Sequence, residues 1–237
     1  MARNKNGTNL NHGELKDAVW FDIEKREKDL EPALTGMMVD DEFSITVHDE
    51  RLSIGAEYSN LHLKNGKPFF EALIEKCRNE GRMLISYTKA DYEFITSAYP
   101  DLKDDLDQIY QKTRFTSWFR QNKPRLFELM QKKKASKTRN KRVRNRPMRK
   151  KSGEFQIGLK DMLQLDEVDY PDRSKVGIGG SANAIKKIRT RYNKTGDNEN
   201  SITAGEKKAW TKMLTYLKHD VLGLAHLTKW VNSENNS

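Results

Sequence analysis

Hydrophobic and polar positions alternate between two periods along this chain, and the periods divide it into strands and helices. Ala18-Val19-Trp20-Phe21-Asp22-Ile23-Glu24 is an apolar run that ends in two acids and predicts a buried strand. Leu34–Val39 and Phe43–Val47 flank the acidic turn Asp40-Asp41-Glu42 and predict a hairpin. Asn65-Gly66 marks a turn, after which Pro68 opens a helix. Phe69, Phe70, Leu73, Ile74 and Cys77 form its apolar stripe and Gly81 ends it. Met83–Tyr87 predicts a further strand, followed by helical patterns over 89–98 and 101–112 and a last strand at Phe115–Phe119. A helical region from about 180 to 232 closes the chain. The predicted class is α/β, with a mixed central sheet flanked by helices and a helical C-terminal part.

Polar residues at the ends of these elements carry the candidate chemistry. Strand side chains alternate between faces, so Asp22 and Glu24 project together from one side. Paired carboxylates suit a hard divalent cation such as Mg²⁺. Tyr216 and Asp220 are four residues apart on a strongly helical stretch and share one face. Tyr216 equally fits an apolar stripe with Leu217, Val221 and Leu224. Asp91 falls in the first turn of a helix that follows a strand, where a carboxylate can face a cleft; Glu93, two residues on, is its alternative.

Taken in order, Asp22-x-Glu24, Asp91 and Tyr216-x-x-x-Asp220 resemble the three motifs of the DEDD 3′–5′ exonucleases, whose domains have the ribonuclease H-like fold. The tyrosine four residues before the last aspartate matches the tyrosine branch (DEDDy); the histidine branch would place His at position 215, which is Thr215. Tyr87, four residues before Asp91, makes the middle motif most similar to the YprB-type ribonuclease H-like domains. Many members carry Asn-x-x-Phe-Asp there, whereas this chain reads Thr88-Lys89-Ala90-Asp91. The resemblance spans residues 17–232 and is carried by the motifs alone. It implies a two-metal-ion hydrolysis of DNA or RNA phosphodiesters with two Mg²⁺ or Mn²⁺ ions about 3.5–4 Å apart. By the same resemblance Asp22 bridges both ions, Glu24 and Asp220 complete one site, Asp91 serves the other, and Tyr216 orients the attacking water.

Composition adds a partner and removes several classes. The 237 residues carry a formal net charge of +10, which favours a polyanion, nucleic acid before membrane. Cys77 is the only cysteine, excluding an internal disulfide, and the five histidines lack metal-ligand spacing. No apolar run approaches the ~20 residues of a membrane span, so the expected location is intracellular, cytoplasmic, or nuclear in a eukaryote. Residues 1–14 and 233–237 read as disordered ends around a single domain at 15–232.

From Gln131 to Lys151 there are twelve Lys or Arg and no acid. Such a block repels itself and predicts a flexible insertion over 131–153, with Lys141, Arg142, Arg144 and Arg146 as phosphate contacts for single-stranded DNA or RNA. Lys89 and Lys218 are further phosphate candidates beside the motifs. Gly177-Ile178-Gly179-Gly180 lacks nucleotide-binding spacing and reads as a loop before a helix capped by Ser181. Two other functions fit the same residues: a ribonuclease H-like endonuclease, and a binding module on a catalytically silent scaffold.

Overall fold

The structure, a computed structural model, describes Leu15 and residues 17–111, 115–140, 155, 157–175 and 181–233. Its strands are β1 (Val19–Glu24), β2 (Leu34–Val39), β3 (Glu42–Val47), β4 (His62–Leu63) and β5 (Leu84–Ile85). They form one mixed sheet in the order β4-β3-β2-β1-β5. The meander β1-β2-β3 is antiparallel, while β5 lies parallel to β1 and β4 parallel to β3. Beyond β5 the sheet continues as a single parallel bridge between Leu84 and Tyr110.

The hairpin turn is tight because Val39 pairs with Glu42, leaving only Asp40 and Asp41 between the strands. Both have positive φ, 51° and 65°, the left-handed pair of a type I′ turn, whose twist matches the strands it joins. Arg82 forks onto Asp40 at 2.7 and 3.0 Å, and Lys229 reaches Asp41 at 2.5 Å.

The helices are α1 (Ser53–Tyr58), α2 (Gly66–Glu80), α3 (Lys89–Ala98), α4 (Lys103–Ile109), α5 (Phe115–Asn122), α6 (Pro124–Asn140), α7 (Leu159–Leu163), α8 (Ser181–Thr195) and α9 (Ala204–Ser233). Local chemistry sets several of their ends. Asn65 accepts the Lys67 N–H at the start of α2, and Gly81 closes it at φ 68°, a conformation costly for other residues. Thr88 likewise caps α3 through the Ala90 N–H.

Strand β1 is covered on both sides, and its alternation assigns each layer. Val19, Phe21 and Ile23 pack with Phe70, Leu73, Ile74 and Cys77 of α2 and with Ile95, Leu106 and Ile109 of α3 and α4. Trp20 packs on the other face, among Trp118, Phe127, Met162, Val221 and Leu224 from α5, α6, α7 and α9. A third cluster joins Leu34 and Val47 to Ile185 and Ile188 of α8 and to Trp210, Met213 and Leu217 of α9.

Two expected elements differ. Phe115–Phe119 is not a strand: Phe115, Trp118 and Phe119 are all buried at i, i+3, i+4 spacing, so helix α5 buries them on one stripe. The outer sheet position falls instead to Tyr110. The basic block is not flexible from its start, because α6 runs on to Asn140. Buried Phe127 and Met130 anchor that helix, and Lys and Arg are good helix formers. The remainder of the block, including Lys141, Arg142, Arg144 and Arg146, lies outside the described residues, as do 1–14, 176–180 and 234–237. Position 233, read from the sequence as part of a disordered end, belongs to α9. Among the described residues no helix is long and apolar enough to cross a membrane.

Gly36, paired with Asp22 across β1 and β2, lets α9 approach the sheet: a Cβ there would stand 2.7 Å from Leu217 Cγ. Gly36→Ala must therefore push Leu217 away or strain β2. The expected loss is about 1–3 kcal/mol, the usual cost of overpacking, read as a lower denaturant midpoint at unchanged slope. An unmoved midpoint would show that α9 does not depend on this contact.

Candidate metal and phosphodiester site

The site is built where β1 outruns its parallel neighbour. Only Val19 and Trp20 of β1 pair with β5, so the Ile23 backbone N–H is free on that side to bond a side chain. It bonds the carboxylate of Asp91, delivered by the first turn of α3. Asp22 and Glu24 leave β1 on the face shared with Trp20, under α9. Tyr216 and Asp220 stand one above the other on that helix, so the Asp220 charge acts on the Tyr216 hydroxyl.

Asp22, Tyr87, Lys160, Asp161, Tyr216 and Asp220 line a cavity of about 390 Å³ between β1, α7 and α9. Tyr87 closes one wall and donates to the Ile157 carbonyl at 2.9 Å. Glu24 and Asp91 are buried beside it, at 8% and 9% exposure. The structure thus brings together all five residues picked out by motif. It also separates Asp91 from Glu93: the first is buried and its charge acts on Asp22, the second is exposed. Lys89 and Lys218 are exposed, and Lys218 lies over the Phe43 ring. Trp20, Trp118 and Trp210 are buried.

Burial and mutual repulsion raise all four carboxyls above their ordinary range. Asp22 is pushed well up, first by burial and then by the charges of Asp91, Glu24 and Asp220. Burial lifts Glu24 to about 7 against a hydrogen bond from Ser181, and lifts Asp91 to about 6 against the nearby Ser86 hydroxyl and the backbone. Asp220 is raised by burial, opposed by the charge of Lys160 and the Tyr216 hydroxyl. The Tyr216 phenol is raised by burial and by the acids around it, so it is held as a neutral hydroxyl.

This donor set fits a hard divalent cation. It is all oxygen, and its ionised form carries repulsion that a cation relieves. Among the described residues no group of three or more His, Cys, Asp or Glu side chains is placed so as to hold a metal ion.

Four residues here have no site role legible in the sequence. Lys160 donates to the Tyr216 hydroxyl, and Asp161 accepts the Gly158 N–H at 2.7 Å. Neither lies in a motif, and the reach of α7 across to α9 has no local signal. Ser181, expected as a helix cap, is the first residue of α8 and bonds Glu24. Ser86, just after β5, lies near enough to Asp91 to favour its ionised form, with its hydroxyl donated to the Thr88 carbonyl at 2.6 Å.

A pH dependence follows from the raised carboxyls. Glu24 and Asp91 have ordinary values of 4.5 and 3.8 and folded values of about 7 and about 6. Between those limits the folded protein holds more protons than the unfolded chain, so stability falls as pH rises. Without divalent ions the Tm should drop from pH 5 to pH 8, by about 2–4 °C for each kcal/mol lost in a chain of this length. Asp22→Asn should flatten that slope. A wild-type Tm that is level or rising over the interval would mean that the four carboxyls are not buried together. Comparisons of the chain with known protein families, with curated proteins and with solved structures give no match.

Proposed function

We propose that this chain is a metal-dependent 3′–5′ exonuclease that hydrolyses DNA or RNA phosphodiesters on a ribonuclease H-like fold. The observation that carries the reading is the cleft itself. Asp22, Glu24, Asp91 and Asp220 come from three segments far apart in sequence and meet, two buried and two half-buried, beside Tyr216 of α9. Four mutually repelling carboxylates drawn partly or wholly out of water weaken a fold unless they bind something, which supports reading the cluster as functional. The sheet supports the same reading: an antiparallel β1-β2-β3 meander, then β5 parallel beside β1, is the strand order that such a core requires.

In this reading Asp22, Glu24, Asp91 and Asp220 hold two Mg²⁺ or Mn²⁺ ions. Bound there, the ions would supply Lewis acidity for the attacking water and the phosphate oxygens. The chain's own groups do the rest. Ser181, Ser86 and the Ile23 N–H stand beside the carboxylates and favour their ionised forms, which a cation would need. Tyr216, neutral and hydrogen-bonded, orients water and does not deprotonate it.

The basic run is the candidate arm for the single strand. Its base is pinned beside the cleft: the Gln131 amide bonds the Phe155 backbone in both directions at 2.8 Å. Lys134 pairs at 2.6 Å with Asp161, which lines the cavity. Lys141, Arg142, Arg144 and Arg146 follow within this segment.

The test is a time course on 5′-end-labelled single-stranded DNA and RNA with Mg²⁺, Mn²⁺ or chelator. The expected result is metal-dependent shortening from the 3′ end, with circular single strands left intact. Asp22→Ala and Asp220→Ala should abolish it in a folded protein. Tyr216→Phe should lower turnover about 10- to 1,000-fold with little change in Tm. Full activity of Asp22→Ala would overturn the reading, and cutting of circles would make the protein an endonuclease.

Replacing Lys141, Arg142, Arg144 and Arg146 by Ser should raise KM and flatten the salt dependence of affinity. The slope of log K against log salt falls by about 0.7 per lost phosphate contact on single strands. Saturating turnover should stay within a few-fold. An unaltered slope would show that these side chains do not touch the substrate.

A further inference from the structure

Lys160 is the cationic side chain set among the acids of the cleft, and neither motif nor composition assigns it a role. Its Nζ donates to the Tyr216 hydroxyl and lies 3.8 Å from the centre of the Tyr216 ring. Its charge also stabilises the ionised forms of Glu24 and Asp220. The side chain is half-buried and lines the same cavity as Asp22, Tyr216 and Asp220.

The backbone that carries Lys160 is held firmly. Leu159, Met162 and Leu163 of α7 are buried in the core. Leu163 sits so close to α9 that a Cβ on Gly223 would stand 2.3 Å from its Cδ1. Asp161 bonds the Gly158 N–H at 2.7 Å and pairs with Lys134. A lysine on so fixed a support is placed for a purpose that a solvent-exposed lysine does not serve.

The Tyr216 oxygen thus accepts from Lys160, while the charge of Asp220, one turn on along α9, acts on the same hydroxyl. A phenol facing only the Asp220 charge could still rotate about its C–O bond. With Lys160 on the oxygen, both the proton and the remaining lone pair have defined directions. The ammonium also polarises the O–H, strengthening it as a donor.

We propose that Lys160 is a positioning residue that acts through Tyr216, fixing the phenol hydroxyl for the hydrolysis of a phosphodiester in this cleft. The inference rests on the nuclease reading for its reaction, and on the Lys160–Tyr216 contact for its geometry.

A double-mutant cycle tests it, using the full chain, Mg²⁺ and an end-labelled single-stranded oligonucleotide. Lys160→Met keeps an unbranched side chain of similar length but removes the charge and the donor. Lys160→Met should lower kcat at least 10-fold with KM changed less than about 3-fold. Combining it with Tyr216→Phe should cost no more than the larger single loss, because both remove one shared interaction. Lys160→Arg, which retains a donor, should recover part of the rate. Losses that multiply, or a loss that falls on KM, would show that Lys160 meets the substrate independently and would overturn the proposal, as would an unchanged kcat.

A second readout separates this failure from failure of the nuclease reading. In protein labelled with ¹³C at the tyrosine Cζ, the Tyr216 resonance should move on Lys160→Met, whether or not the protein cleaves nucleic acid. A moved resonance without any cleavage by wild type would sink the nuclease reading and the catalytic role together while leaving the contact. An unmoved resonance would remove the contact on which the proposal stands.

Discussion

The burial of β1 on both faces is the constraint on which the cleft depends. A strand covered by helices on each side has no solvated face for charge, yet this one ends in Asp22 and Glu24. The chain resolves the conflict by shortening β5, so that β1 projects past its neighbour and the backbone there meets Asp91 instead of another strand. Gly36 on the opposite neighbour admits Leu217, which lowers α9 onto the acids and sets Asp220 among them. The carboxylates are therefore gathered by the same packing that forms the core.

Gathering them is unfavourable in itself. Desolvation and like-charge repulsion both disfavour the ionised state, and the Ser181 and Ser86 hydroxyls and the Ile23 N–H recover only part of the loss. Lys160 offsets more of it from across the cavity. The remaining imbalance is what the proposed divalent cation would relieve, and in that reading binding would stabilise the fold.

A second buried charge cluster stabilises the frame around this cleft. Arg189 of α8, 6% exposed, forks onto Asp29 at 2.7 and 3.0 Å and also bonds Asp49. Asp29 follows β1 and Asp49 follows β3, so one guanidinium ties α8 to the ends of two strands. Here opposite charges are matched, and both carboxyls are held below their ordinary range. The same helix begins at Ser181, beside Glu24. Removing a partner from this triad would leave a buried charge unmatched, which is more costly than losing an exposed pair. Matched charge thus fixes the support, and unmatched charge is confined to the cleft.

Features set by neighbours in sequence were legible before folding. Alternation in Val19–Glu24 assigned Asp22 and Glu24 to one face, and the acidic turn between two apolar runs marked the β2-β3 hairpin. Gly81 closed α2 for want of a Cβ, and the four-residue spacing stacked Tyr216 over Asp220. These depend on backbone periods and local hydrogen bonds, which act over a few residues in any context. Tertiary structure decided what those periods leave open. The short apolar run Phe115–Phe119 suits a strand or a helix by composition, and only burial of Phe115, Trp118 and Phe119 on one stripe made it α5. Asp91 and Glu93 are equivalent as letters, but the turn of α3 buries one and exposes the other. Lys160 and Ser181 reached the cleft through long-range packing of α7 and α8. No pattern in the residues beside them encodes which distant side chain they will meet.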